Sequence, residues 1–159
     1  MIIRAATLYD AAAIGQLWTQ LVEYHRQLDD RMPIAAPDGA DRYANRVRDS
    51  VDDSHTRVFV AEDEGQVVGY VMGVIVDLLP EMFAEERGGF LADIFVLPHY
   101  RDKGIGKALV NALKAWFRAR EVEHFEWYVA SKNTAGIAFW RSVQGQDVML
   151  RMRATTDSD

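Results

Sequence analysis

The sequence predicts a mixed α/β domain, and three features of it do so. Four apolar runs bounded by turn residues, Thr56–Glu62, Gln66–Asp77, Phe90–Leu97 and Phe125–Ala130, have the length and the β-branched and aromatic content of strands. Other stretches carry apolar residues at three- and four-residue spacing, the period of an amphipathic helix. One segment passes from strand through a glycine-containing turn into a helix and then to another strand, an order that produces a right-handed crossover and a parallel pair.

The elements follow in order. Ile2 to Ala6 is short and apolar, and Thr7 with Asp10 has the spacing of a capping box that starts a helix. Ile14, Leu17, Trp18, Leu21, Val22 and Leu28 then share one face. Residues 29–40 hold two prolines and a glycine without a sustained period and read as a loop, and Asp41–Val51 reads as a shorter, charge-rich helix. Asp63-Glu64-Gly65 suits a hairpin between the next two strands, which therefore pair antiparallel. Gly69 and Gly73 mark the second of these as kinked or closely approached. Glu81–Gly89 reads as an exposed connection. After the central turn, Ile105, Ala108, Leu109, Ala112, Leu113, Trp116 and Phe117 form the clearest apolar stripe in the chain. Asn133-Thr134-Ala135 opens a last helix, Gln146–Met152 alternates as a last strand, and 154–159 is a short polar tail. The expected order is β-α-α-β-β-β-α-β-α-β in a single domain over residues 1–153.

Composition bounds the function. With 159 residues, 49% of them hydrophobic, the chain can bury a substantial core. A net charge of −6 argues against a general nucleic-acid or anionic-membrane binder. The absence of cysteine removes disulfides, thiolate nucleophiles and cysteine metal sites, and the four histidines show no metal-ligand spacing. The longest apolar stretch, Val67 to Val76, is half the length of a membrane helix, so a cytoplasmic protein is expected.

The chemistry centres on Arg101-Asp102-Lys103-Gly104-Ile105-Gly106-Lys107, between the strand ending at Leu97-Pro98 and the clearest helix. Two glycines, three cations and a helix N-terminus offer convergent N–H donors and positive potential to a phosphate. A magnesium-nucleotide P-loop would need glycine where Arg101 stands and Ser or Thr where Ala108 stands. The dinucleotide fingerprint would need a third glycine where Leu109 stands. The stretch instead resembles the Arg-x-x-Gly-x-Gly/Ala pattern of the GNAT superfamily of acyl-CoA-dependent N-acetyltransferases, preceded by the family-like Val96-Leu97-Pro98-His99-Tyr100. Asn133, Gly136, Phe139 and Trp140 resemble a second family pattern, Asn-x-x-Ala-x-x-Phe-Tyr, and the element order is also the family's.

The resemblance implies a three-layer fold with helices on both faces of a central, mostly antiparallel sheet containing one splayed parallel pair. It implies acetyl-CoA as the acyl donor, held by residues 101–107 at its pyrophosphate and by backbone groups of Ile94, Phe95 and Val96 along its pantetheine arm. Asn133 would bond the coenzyme or cap its own helix. The acceptor would be a primary amine of a small molecule or peptide, attacking directly in a ternary complex with no metal; many family members are dimers, and a homodimer is compatible. An amine with a pKa near ~10 must lose a proton before it attacks. Asp93, on the strand before the turn, is the first candidate base and Glu126 the second, and strand parity leaves open which of them faces the cleft or solvent. Where many relatives carry a tyrosine that protonates the leaving thiolate, this chain has Trp140, whose indole N–H is no general acid. Tyr128 is a substitute candidate. Gln144-Gly145 also stands where the family pattern has Gly-Phe. These departures keep a second reading alive, a coenzyme A-binding or sensing domain without efficient turnover; a dinucleotide-binding domain is a third.

Overall fold

Thr7 sets how the chain enters its first helix. Its main-chain N–H donates to Asp10 Oδ2 at 2.7 Å and its hydroxyl donates to the same oxygen at 2.9 Å. The Arg4 guanidinium adds a bidentate pair to the Asp10 carboxylate at 2.7 and 2.8 Å. The computed structural model describes residues 1–77 and 79–157, and its contacts divide the chain into a unit from Met1 to Tyr128 and another from Val129 onward.

In the first unit, β1 (Ile2–Ala5) leads through a 3-10 turn at Leu8–Asp10 into α1 (Ala11–Leu28) and α2 (Gly39–Ser50). There follow β2 (Thr56–Asp63), β3 (Gln66–Val76), β4 (Gly88–Val96), α3 (Ile105–Arg118) and β5 (Phe125–Glu126). The five strands lie in chain order; the first three pairings are antiparallel and β4 with β5 is parallel. Glu64 and Gly65, both at positive φ, make the two-residue hairpin turn expected between β2 and β3.

Alternation assigns the two faces. Val58, Val60, Tyr70, Met72 and Phe95 pack with Ile14 and Leu17 of α1 and Tyr43 and Val47 of α2. On the other face Gly73 lies under α3 so closely that a Cβ there would stand 2.5 Å from Leu113 Cδ1. That contact explains the glycine, and the sheet is covered by helices on both sides. The ladder between β3 and β4 slips by one residue: Asp93 lies opposite Met72, but Leu91 lies opposite Gly73, so Ala92 is a bulge. Without it Leu91 and Asp93 would share the α3 face; with it Asp93 joins Met72 on the α1 and α2 face.

In the second unit, Asn133 Oδ1 accepts from the Gly136 N–H at 3.0 Å and caps α4 (Thr134–Ser142). The helix closes with the Gln144 N–H on the Arg141 carbonyl at 3.1 Å and the Gly145 N–H on the Trp140 carbonyl at 2.8 Å, a Schellman pair. Gln144 takes the left-handed position at φ 72°, where glycine is the usual occupant, at a cost of about 1 kcal/mol.

Two sequence expectations are corrected. The strand expected over Phe125–Ala130 pairs only at Phe125 and Glu126, because the ladder to β4 stops after Phe90. The last strand expected over Gln146–Met152 is not formed among the described residues: its alternation is strand-like, but none of the described strands pairs with it, and Val148, Met149, Leu150 and Met152 are 78–89% exposed. Of the polar tail, Ser158 and Asp159 lie outside the described residues.

The Arg4–Asp10 corner yields a pH prediction. Hydrogen bonds from Arg4, and secondarily from Thr7, hold the Asp10 carboxyl down to about 2 against the burial that raises it. The unfolded chain therefore binds the proton first on acidification, and the stabilisation is complete above about pH 4 and lost as pH falls toward 2. Asp10→Asn should cost on the order of 1–2 kcal/mol at pH 7. Urea midpoints measured from pH 7 to pH 2.5 should show the gap to the unmodified protein closing at the acid end.

Candidate active site

The bulge at Ala92 turns Asp93 toward α2, where Tyr43 Oη donates to Asp93 Oδ2 at 2.7 Å. Tyr43 is itself buried and fixed, stacked on Trp18 of α1 with ring centroids 5.3 Å apart and edge-on to Tyr70 at 6.0 Å. Burial pushes the Asp93 carboxyl above the usual range, while the Tyr43 hydrogen bond and the charge of Arg46 pull it back. Burial raises the Tyr43 and Tyr70 hydroxyls well above the ordinary phenol range, the neighbouring acidic groups adding to it. The Tyr70 hydroxyl is fully buried and makes no hydrogen bond among the described residues. The surroundings of Asp93 are therefore low in dielectric, and one oxygen of its carboxylate accepts from Tyr43.

Beyond Phe90, β4 has a ladder among the described residues on its β3 side only. The Leu97 N–H donates to the Val68 carbonyl, so by alternation Phe95 turns its main-chain groups to β3 and Ile94 and Val96 turn theirs to the open side. Phe95 also buries its ring in the core. Ile94 and Val96 are thus the residues whose backbone could bond an extended ligand laid between the parted strands.

The turn that follows is built on left-handed backbone: Asp102 has φ 60° and Gly104 has φ 79°. A side chain at Gly104 would meet no neighbour within 4 Å, so its conformation and not space calls for glycine. Gly104 is the N-cap of α3 and offers no side chain to close it, so among the described residues no N-cap side chain bonds the first-turn N–H groups of Ile105, Gly106 and Lys107. Asp102, Lys103 and Lys107 are exposed, and Ile105 is buried as an anchor of the helix in the core. Arg101 is not a loose cation. Its Nε donates to the Val96 carbonyl at 3.0 Å and its guanidinium lies over Tyr24 at 4.9 Å and Phe95 at 5.4 Å. Lys103 Nζ stands 5.1 Å from the Tyr100 ring centroid.

A parted parallel pair beside an uncapped, glycine-started helix is the arrangement the sequence resemblance implies. Residues 16–145 match the Acetyltransferase (GNAT) family. The chain belongs to that family. It is 32% identical over 116 residues to the "Uncharacterized N-acetyltransferase YhfO" of Bacillus subtilis, the match covering 72% of this chain and 68% of that one. A mutant crystal structure of the BH1408 protein from Bacillus halodurans superposes with a TM-score of 0.85 at 25% identity, over 98% of this chain and 99% of that one. The aminoglycoside N-acetyltransferase AAC(6')-Iy, solved with CoA, shares the fold with a TM-score of 0.74 at 18% identity, over 99% of this chain and 95% of that one. This protein is therefore a GNAT acetyltransferase, of a family that uses acetyl-CoA.

Other residues singled out in the sequence of this GNAT protein stand apart from Asp93. Glu126 is exposed beside Phe90 and lines a small cavity of about 50 Å³ with Glu86, Gly89 and His124; no hydrogen bond or ion pair joins it to Asp93 among the described residues. Tyr128 is 75% exposed and meets Phe90 edge-on at 5.5 Å. Asn133 caps α4, and Trp140 is buried with its ring edge-on to Phe139. The residues that sequence reading missed are Tyr43, Tyr70 and Tyr24. Tyr43 shares a helical face with Val47, one turn on, and Tyr70 alternates with Val68 and Met72, so both carry the signature of plain core, and nothing in their spacing points to the carboxylate.

The Tyr43–Asp93 pair is directly testable. Removing the hydroxyl in Tyr43→Phe deletes the hydrogen bond that favours the carboxylate, so the Asp93 carboxyl should titrate higher than in the unmodified protein, followed through its side-chain carbon resonance by NMR. Stability should fall by about 1 kcal/mol.

Proposed function

We propose that this GNAT protein transfers the acetyl group of acetyl-CoA to a primary amine of a small molecule or peptide, by direct attack in a ternary complex within a domain formed by residues 1–153. The observation that carries the reading is Asp93: a half-buried carboxylate on the strand that runs into the diphosphate turn, one oxygen fixed by Tyr43 and the other able to take a proton.

The chemistry follows from these groups. Lys103 and Lys107 and the first-turn N–H groups of α3 would hold the diphosphate, with Arg101 contributing charge from its place against the Tyr24 and Phe95 rings. The main-chain groups of Ile94 and Val96 would hold the pantetheine arm, and the Ile94 N–H would polarise the thioester carbonyl as negative charge develops on its oxygen. The acceptor arrives as an ammonium and must give up a proton. A carboxylate whose affinity for protons has been raised by burial is better matched to that step than an exposed one. The amine nitrogen then forms its bond to the carbonyl carbon, and the carbon–sulfur bond breaks to release coenzyme A. A thiol has a pKa near ~8.5, so the thiolate can leave with hydrogen-bond or solvent help and needs no tyrosine at the position of Trp140. Solved neighbours of this fold are named for aminoglycosides, whose amino groups belong to the proposed acceptor class.

Trp140 favours one competing reading, a coenzyme A-binding domain without turnover, because it removes the acid that many relatives supply. Thiol release from acetyl-CoA across a panel of amines separates the two. Turnover is expected with at least one amine, and Asp93→Asn should lower kcat by about 10²- to 10⁴-fold with acetyl-CoA affinity unchanged by calorimetry. Binding without turnover for every amine would support the competing reading, and an unchanged kcat in Asp93→Asn would remove Asp93 as the base.

A further inference from the structure

Arg101 opens the turn that leads into α3, and three contacts hold its side chain. Its Nε donates to the Val96 carbonyl at 3.0 Å, and its guanidinium carbon stands 5.4 Å from the Phe95 ring centroid and 4.9 Å from that of Tyr24. Val96 and Phe95 belong to β4, the strand that runs into the turn, so those two contacts are local. Tyr24 comes from α1, a distant part of the chain, and its ring is the nearer of the two. The ring is half-buried and continues the helix face of Leu17 and Leu21, which are packed in the core, so α1 orients it toward the turn.

The backbone between Arg101 and α3 needs such support. Asp102 sits at φ 60°, a left-handed conformation that a side chain rarely adopts and that persists where surrounding structure holds it, and Gly104 follows at φ 79°. At the far end of this stretch Ile105 is buried in the core. At the near end stands Arg101, with its contacts to β4 and α1. These two anchors set where the first turn of α3 lies relative to the open side of β4. A ligand that bonds both would lose affinity if it had to order that spacing as it bound. Leucine or methionine at position 24 would fill the same space, but an aromatic face also attracts a cation.

We propose that Tyr24 is a positioning residue for coenzyme binding: its ring holds the Arg101 guanidinium by a cation–π contact and, through Arg101, keeps the turn from 101 to 107 in the conformation that receives a diphosphate. The inference rests on the role of that turn put forward under the proposed function. Tyr24 itself touches no reacting atom. Its effect is therefore confined to ligands that carry a diphosphate, and a ligand with the pantetheine arm alone is indifferent to it. Because Tyr24 acts through Arg101, its contribution disappears when the guanidinium is removed.

Calorimetric titration with coenzyme A and NMR titration with pantetheine, which has the arm without the diphosphate, test this on Tyr24→Leu and Tyr24→Phe. Tyr24→Leu should raise the Kd of coenzyme A by about 3- to 10-fold and leave that of pantetheine unchanged. Tyr24→Phe, which keeps the ring, should restore the affinity, and in an Arg101→Ala background Tyr24→Leu should add no further loss. Where Tyr24→Leu does not fold, phenylalanines of increasing ring fluorination at position 24 keep the shape and weaken the ring face, and coenzyme A affinity should fall stepwise along them. Coenzyme A affinity unchanged in Tyr24→Leu or along the fluorinated series, equal losses for coenzyme A and pantetheine, no restoration by Tyr24→Phe, or a full further loss in the Arg101→Ala background would overturn the role of Tyr24 while the coenzyme site stands. Failure of the unmodified protein to bind coenzyme A would overturn the coenzyme site, and this inference with it.

Discussion

The parting of β4 from β5 after a two-residue ladder is the constraint on which the site depends. A sheet interior ordinarily has every main-chain group paired with a neighbouring strand. Here β4 keeps its β3 partner and, among the described residues, loses the β5 partner beyond Phe90, which leaves the outward main-chain groups of Ile94 and the Val96 N–H without a strand partner, the Val96 carbonyl accepting from Arg101. Leu97 and Pro98 then end the strand, and the left-handed residues Asp102 and Gly104 fold the chain back so that α3 starts beside that row. An extended, amide-bearing arm ending in a diphosphate matches this surface in order: peptide-like groups along the strand, then N–H groups of an uncapped helix.

The one-residue bulge at Ala92 supplies the second half of the site. It reverses the parity of β4 between Leu91 and Asp93, so the strand contributes apolar packing to the α3 side and a carboxylate to the α1 and α2 side. There Trp18 and Tyr43 form a stacked pair that positions a single phenolic proton on Asp93. The cationic residues are also unequal. Arg101 is bound to the Val96 carbonyl and lies against the rings of Tyr24 and Phe95, so it ties the turn to β4 and α1, and Lys103 and Lys107 are the exposed charges.

Much of this could be read from the sequence where local chemistry decides the outcome. The apolar stripe of 105–117 gave α3, Glu64-Gly65 gave the hairpin, and Asn133 gave the cap of α4, because each is set by the spacing of nearby residues. The face of Asp93 was not legible, since a bulge depends on a partner strand some twenty residues away. Nor were Tyr43 and Tyr70, whose periodicity is that of the core they also belong to. The segment 146–152 shows the converse: its alternation is that of a strand, but a strand exists only where an edge receives it, and that edge is not specified locally.

The central claim is that the open side of β4 and the start of α3 together receive the coenzyme. Amide chemical shifts followed by NMR during titration with coenzyme A test it residue by residue. The account expects Ile94, Val96 and the amides from Gly104 to Lys107 to move together and saturate at one ligand per chain, with Phe95, bonded to β3, moving least in that stretch. Shifts absent from those amides at saturation, or Phe95 moving as far as Ile94 and Val96, would contradict it.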